Sequence, residues 1–283
     1  MSRFTSVVVP CHDNLLYTAL CLQSVAAHTP EPHEVIVVDN GCTDATSDWA
    51  AAQGARVVRS RTNLGFAGGV NLGLAVASGD VAVLLNNDAL ATPGWLAGLH
   101  GALRGGAGIA GPRSNWVSDD QIVREVGYGE APSPELDAFA AARHREHAGM
   151  GRDVARISGL CMAIHRDVLD AIGGLDPRFE VGNMEDEDYA LRARLAGFRL
   201  RVADDSYVHH FGHKTFDIVD EEYNALLELN AMRYAAKWDL PMHGDPRGVL
   251  PARGFDPALD MVRLGLSPLE VDRDRGGADC RRL

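Results

Sequence analysis

The chain has 283 residues, 46% hydrophobic and 23% charged, which is enough for one large core with extensions and excludes a disordered or fibrous polypeptide. A formal charge of −12 argues against general binding to nucleic acid or anionic lipid, although a local basic pocket could still hold a phosphate. Five cysteines (Cys11, Cys21, Cys42, Cys161, Cys280) are odd in number and scattered, with no pair at zinc-ligand spacing, so a reduced, cytoplasmic setting is the simple reading.

In chain order, residues 4–10 (FTSVVVP) and 34–39 (EVIVVD) are β-branched runs that end in polar or turn residues. Between them, residues 15–27 carry Leu16, Ala19, Leu20, Leu22, Val25 and Ala26 at helical spacing. Strand, helix, strand predicts a parallel sheet with a right-handed crossover. Residues 43–52 read as a second helix capped by Thr43 or Asp44, and residues 56–59 as a short strand. The glycine-rich segment 63–73 (NLGFAGGVNLG) follows and opens a helix at 67–77. Its glycines let backbone approach a ligand and its helix offers free N–H groups to an anion; the bland alternative is a turn that packs helix on sheet.

The most informative stretch is 81–88 (VAVLLNND), a buried parallel strand stopping at two asparagines and an aspartate. Its polar end falls at the carboxyl edge of the sheet, where open α/β folds place ligand chemistry, and Asp39 and Asp88 project from that same edge. Residues 95–103 are helical. Gly106, Gly108 and Gly111 make a formal G-x-G-x-x-G, but it follows a helix and runs into Pro112, so it reads as a turn and a short strand over 108–113 and not as a dinucleotide fingerprint.

Two further clusters carry chemistry. In MEDEDY the four acidic residues Glu185 to Asp188 repel one another, so at least one carboxyl should titrate high unless a cation lies near. On a helix starting there Glu185 and Asp188 share a face while Asp186 points elsewhere; the alternative role is a favourable helix start next to Arg192 and Arg194. HHFGH (209–213) follows the apolar stretch 199–203 and Tyr207, and an imidazole with one or two carboxylates suits an open divalent-metal site. Residues 220–238 form an amphipathic helix that covers the sheet or packs on a second copy of the chain, giving a homodimer. From 241 to 283 prolines, glycines and charge predict a poorly ordered tail. The start, MSRFTSVVVPCHD, lacks a signal-peptide core, and no run approaches the roughly 18 apolar residues of a membrane span, so association with the inner membrane face would be peripheral, through a partner or a lipid substrate.

Taken together VVVPCHD, IVVDNGCTDAT, NLGFAGGVNLG, LLNNDA, ISGLCMAIHRDVLDAIGGLDPRF, EDEDYALRARLAGFRL and VHHFGH resemble the family 2 glycosyltransferases, inverting enzymes of GT-A fold, and in particular their bacterial rhamnosyltransferase-like members. The resemblance covers about residues 4–215. It implies an α/β fold with a Rossmann-like, mostly parallel sheet flanked by helices and a C-terminal helical extension. It also implies a transferase domain over 1–240, with a nucleotide-binding half (about 1–113) and an acceptor half (about 114–240).

By that resemblance Pro10 and Asp39 hold the nucleotide base, and Asn63 and Gly68 border the nucleotide. Asn86, Asn87 and Asp88 stand at the Asp-x-Asp motif that binds a divalent ion, Mn2+ or Mg2+, on the donor diphosphate. Asn86 departs from the family pattern, and the last aspartate is kept. Glu185 and Asp186 align with the acid pair that supplies the base, Asp186 being the choice. His209 completes the metal shell, with His210 and His213 as second choices. Gly159 and Leu160 lie beneath the sugar and Trp116 near the acceptor.

The function implied is metal-assisted transfer of a sugar from a nucleotide-diphosphate sugar to a hydroxyl of a sugar, lipid-linked or small-molecule acceptor, with inversion. Asp39 suits a pyrimidine imide, which favours UDP or dTDP donors. The residues leave two alternatives: a nucleotidyltransferase that makes such donors, against which PCHD stands where a glycine-rich entry would be, and a catalytically silent sugar-binding module, against which Asp88 and Asp186 count. Acceptor choice belongs to the least patterned segment, 116–157, which holds Pro132, Pro134 and a helix over 135–147.

Overall fold

A computed structural model of the chain describes residues 4–117, 119–179, 182–212, 220–241, 249–265 and 271–272. The expected alternation organises the first part: β1 (Thr5–Cys11), α1 (Leu15–His28), β2 (His33–Asn40), α2 (Thr46–Ala52), β3 (Arg56–Ser60), α3 (Gly65–Val76) and β4 (Val81–Leu85). The strands β3, β2, β1 and β4 lie side by side and parallel, with Val8 opposite both Ile36 and Leu84. Their carboxyl ends therefore share one edge, which puts Asp39 and Asp88 on the same rim.

Side-chain alternation along β1 sorts the core into two layers. Val7 and Val9 join Val37, Val83 and Leu85 against α1, α2 and the helix α4 (Trp95–Arg104). Val8 joins Ile36, Val38 and Leu84 against α3, α6 (Arg166–Ile172) and α7 (Glu185–Leu195). Both faces of these strands are covered, so they read as unbroken apolar runs.

Beyond β4 the sheet is mixed, because its later strands return in alternating directions. The short strands β5 (Ala89–Ala91), β6 (Ile109–Arg113), β7 (Gly151–Val154) and β8 (Cys161–His165) are organised by the long β9 (Leu200–His210). β8 is antiparallel to both β4 and β6, β9 runs parallel to β6, and β5 and β7 pair antiparallel with opposite ends of β9. Helix α5 (Pro134–Glu146) packs with Leu136 and Ala140 on Leu90 and Tyr207. The glycines near 106–111 form a turn and the strand β6, as their context predicts.

Three boundaries differ from expectation for physical reasons. Thr43 and Asp44 do not cap α2: the Asp13 carboxylate draws in both of their backbone N–H groups, and the helix opens at Thr46, whose N–H meets Asp44 Oδ1 at 2.9 Å. The apolar stretch 199–203 opens a strand that runs on through His209 to His210, because pairing with β5 extends it. Part of the segment expected to be a loose tail is docked. The aromatic ring of Trp238, near the end of α8 (Asp220–Trp238), is covered by Arg253, which pairs with Asp260 of α9 (Pro257–Asp260), and Val262 bridges to Gly173. The strand β10 (Val271–Asp272) pairs with β3. Among the described residues no helix is long and apolar enough to cross a membrane.

Candidate active site

At the end of β2, Asp39 is buried, and its Oδ1 accepts from the backbone N–H of Cys42 at 2.7 Å while Oδ2 lies 3.5 Å from Arg59 Nε. The next residue, Asn40, is a positioning group that the sequence reading passed over. Its amide donates to Asn63 Oδ1 (3.1 Å) and the Gly65 carbonyl (3.0 Å) and accepts from the Leu64 N–H (2.9 Å). Asn40 thus fixes the entry to α3. An asparagine directly after a strand-ending aspartate was the available signal.

Gly41 turns the chain here with φ 82°, and a Cβ on it would lie 2.9 Å from Asn63 N. Within α3 two glycines make close packing contacts. A Cβ at Gly73 would sit 2.3 Å from Val8 Cγ1, and one at Gly68 2.7 Å from Leu64 Cβ. Cys42, scattered from Cys11 in sequence, brings its thiol to 3.8 Å from the Cys11 sulfur beside Pro10. The hydrogen bond with the Cys42 thiol, and then burial, hold the Cys11 thiol far above its ordinary range.

The three residues after β4 have separate environments. Asn87 is buried and donates to Thr18 Oγ1 of α1 at 3.0 Å, which makes it a tether between strand and helix. Asn86 receives no hydrogen bond at its buried Oδ1 among the described residues, while its N–H donates to the Leu160 carbonyl at 3.0 Å. Asp88 is 3% exposed and faces a histidine, which is His210 and not His209: His210 Nε2 lies 3.2 Å from Asp88 Oδ1.

The reason is strand alternation. His209 and His210 are successive residues of β9, so they point to opposite faces. His209 turns into an aromatic nest, with Nδ1 2.8 Å from the Tyr128 hydroxyl and Phe211 packed edge-on. Burial and the adjacent His210 lower its pKa to about 4. The expected pairing of His209 with Asp88 therefore gives way to His210, while His213 lies outside the described residues.

His210 is tightly held. Asn115 brackets its backbone, accepting from its N–H at 2.8 Å and donating to its carbonyl at 3.0 Å. Its Nδ1 meets the Trp116 carbonyl at 2.8 Å. A carbonyl only accepts, so Nδ1 carries the proton, and in the neutral ring Nε2 presents a lone pair to the Asp88 carboxylate. A carboxylate and a neutral imidazole nitrogen converging in this way are ligand types that suit a divalent cation, and Asn86 Oδ1, buried and without a hydrogen-bond partner among the described residues, adds an oxygen of the type such ions take. Trp116 itself is 54% exposed, with its indole over Gly212.

The acidic cluster divides its labour along α7. Asp188 is fully buried and accepts from Arg192 Nε (2.8 Å), Trp238 Nε1 (3.0 Å) and Lys237 Nζ (2.6 Å). Glu187 pairs with Arg156. Glu185 is buried with Oε2 unpartnered among the described residues, and burial, then the charge of Asp186, raises its pKa well above the usual carboxylate range. Asp186 is half-buried and turns the other way: Oδ2 accepts from the Gly159 N–H at 3.0 Å and Oδ1 from the Glu187 N–H at 2.9 Å.

Residues 158–160 join the two clusters. Gly159 touches Asp186 by its N–H, Leu160 gives its carbonyl to Asn86, and the Ser158 N–H is held at 2.8 Å by Oε1 of the buried Gln121. One short loop thus ties Asn86, two residues before Asp88, to Asp186, and a Cβ on Gly159 would press on Phe66 of α3 at 3.3 Å. Gln121 was not legible in the sequence, because its partners are 37 and 9 residues away and it belongs to no motif.

Comparison with known proteins gives the family and the fold. The sequence model of the family described as Glycosyl transferase family 2 matches residues 6–173. An uncharacterized protein of Mycobacterium tuberculosis is 33% identical over 197 residues, 65% of this chain, and the chain spans 66% of that protein's length. The N-acetylglucosaminyl-diphospho-decaprenol L-rhamnosyltransferase of Mycobacterium tuberculosis is 26% identical over 263 residues, covering 82% of this chain and 85% of that one.

Among solved structures, GalNAc-T7 with UDP, GalNAc and Mn2+ has a TM-score of 0.60 at 15% identity, covering 86% of this chain and 52% of that one. Glucosyl-3-phosphoglycerate synthase from Mycobacterium tuberculosis, in complex with Mn2+, UDP and phosphoglyceric acid, has a TM-score of 0.57 at 21% identity, covering 84% and 80%. At these identities the likeness is one of fold, the GT-A arrangement of a central sheet between helices.

Proposed function

The chain belongs to glycosyl transferase family 2, and on that premise we propose that it moves a sugar from a nucleotide-diphosphate sugar to an acceptor hydroxyl in one inverting displacement, with Asp186 as the base. The observation that carries this reading is the convergence of the Asp88 carboxylate and His210 Nε2, 3.2 Å apart, at a rim whose linking loop also holds Asp186.

Asp88 and His210, with Asn86, are the residues to hold a divalent ion, whose contribution would be to offset the negative charge that develops on the departing diphosphate. The Trp116 carbonyl keeps Nδ1 protonated and so keeps Nε2 free as a ligand atom. Asp186 takes the acceptor hydroxyl proton as that oxygen attacks the anomeric carbon, and the Gly159 N–H fixes the carboxylate's direction. Burial, and then the charge of Asp186, push the Glu185 carboxyl well above the usual carboxylate range, so its surroundings disfavour a second negative charge beside Asp186. Asp39, Pro10, Asn63 and Gly68 border the base and ribose, with Asn40 bracing the loop, and the carboxylate of Asp39 favours a pyrimidine nucleotide, UDP or dTDP. Gly159 and Leu160 lie beneath the sugar, and the acceptor, met by Trp116, is a sugar or a lipid-linked sugar, a choice supported by the name of the mycobacterial rhamnosyltransferase.

Thermal unfolding with UDP, dTDP and GDP, each with and without Mn2+, tests the donor site. A nucleotide at about 100 times its dissociation constant adds about 2.7 kcal/mol of stability. A shift that needs Mn2+ and one nucleotide is expected, and no shift with any nucleotide would remove the assignment. Asp186→Asn should lose about two to four orders of magnitude in turnover while keeping that shift; retained turnover would remove Asp186 as the base.

A further inference from the structure

The chain enters α7 through an unusual turn. Gly182, Asn183 and Met184 have φ of 140°, 72° and 73° in succession, directly before Glu185 and Asp186. Glycine accepts such backbone and asparagine tolerates it, but a methionine there is disfavoured by its Cβ and persists only where its surroundings impose it. The turn's carbonyls face α8. Asn230, with no exposed surface, donates its Nδ2 to the carbonyls of Gly182 (2.9 Å) and Asn183 (3.3 Å). Arg233, one helical turn further on, donates to Asn230 Oδ1 at 3.0 Å and so sets which way the amide faces. The Met184 carbonyl receives the Asp188 N–H at 2.9 Å, the first bond of α7.

The same helix grips α7 a second time, where Trp238 Nε1 and Lys237 Nζ reach Asp188. Held at those two anchors, α7 begins with Asp186 Oδ2 accepting from the Gly159 N–H.

We propose that Asn230 is a positioning residue for sugar transfer: by holding the left-handed turn 182–184 it aims the Asp186 carboxylate at the acceptor. This rests on the reading of Asp186 as the base. A misaimed base slows the chemical step without touching the nucleotide, which this reading places beside Asp39 at the ends of β1 and β2. A merely structural asparagine would instead act through the fraction of folded molecules.

The test uses the full-length chain with Mn2+ and whichever of a panel of UDP-, dTDP- and GDP-sugars the wild type cleaves, followed by release of nucleoside diphosphate. Asn230→Asp keeps the shape and replaces the donating amide with an acceptor facing two carbonyls. Expected is a fall in kcat on the order of 100-fold, with donor KM within about twofold, and calorimetric binding of nucleoside diphosphate with Mn2+ at wild-type affinity and one site per chain. An unchanged kcat, or a fall matched by an equal loss of binding sites, overturns the proposal. Should Asn230→Asp not fold, Asn230→Ser, which keeps a buried donor on a shorter arm, is read by the same criteria. Asp186→Asn is run beside them: if it turns over like wild type, the base reading fails and takes this proposal with it, whereas a dead Asp186→Asn with a fully active Asn230 variant removes the positioning role alone.

Discussion

The two halves of the sheet are built on different physics. Around β1–β4 the core is aliphatic: Val7, Val8, Val9, Ile36, Val37, Val38, Val83 and Leu84 have no exposed surface, and each contact follows from a neighbour in a parallel pair. Around α7 and α8 the interior is stitched by charge. Asp188, Arg192, Lys237 and Asp176 are nearly or fully buried, and Arg192 also donates to the carbonyls of Ile172 (2.8 Å) and Gly174 (2.7 Å). Apolar packing is tolerant and non-directional, so it suits a platform. Buried ions and their hydrogen bonds hold only at one geometry, which suits the element carrying the proposed base.

The comparison breaks most visibly at Asp188. Asp188→Ala leaves Arg192 buried without its counterion and Lys237 with Asp176 alone, and should cost about 3–5 kcal/mol in urea unfolding. Arg199→Ala removes an exposed pair with Asp153 in the same half and should cost no more than about 1 kcal/mol. If the two variants unfold alike, the charge network is not what holds α7.

In the aliphatic half the sensitive point is volume. Gly73→Ala drives a methyl onto Val8 and should cost about 1–3 kcal/mol, recovered in part by adding Val8→Ala, whose shortened side chain makes room. No recovery in the double variant would show that the close approach of α3 to β1 is not the cause.

At the junction of the halves, His210→Ala should weaken Mn2+-dependent nucleotide binding about 10- to 100-fold, and His209→Ala should leave it in place. Calorimetry that ranks them the other way would reverse the assignment made from Asp88.

The last effect is one of pH. The folded state holds His209 neutral down to about 4, whereas its ordinary value is 6.5. The unfolded chain therefore binds the proton first as pH falls, and stability that is full above about pH 6.5 is lost progressively toward pH 4. Melting temperature across that window should fall more steeply for the wild type than for His209→Phe, and equal slopes would remove His209 as a contributor.

Legibility followed the same division. The strand ends bearing Asp39 and Asp88, the helix carrying Asp186 and the rejected dinucleotide motif were all readable, because each depends on local periodicity and on which residues punctuate a run. His210 was not separable from His209. Which of two adjacent histidines faces Asp88 is set by the register of β9 against β5, with Ala89 opposite His210, and that pairing spans about half the chain. Asn40 could have been found, since it follows Asp39 directly; Gln121 and Asn230 could not, since their partners are loops distant in sequence.

The sequence by itself determined the parallel platform and the types of residue at its rim, since β-branched runs and their polar stops fix strands and edges through local sterics and burial. Only the tertiary structure decided how the second half closes on it: which histidine meets Asp88, which carboxylate of the acidic run is freed from the ion network, and what holds the turn before it. Those choices depend on directional contacts between segments far apart in the chain, and no local pattern encodes them.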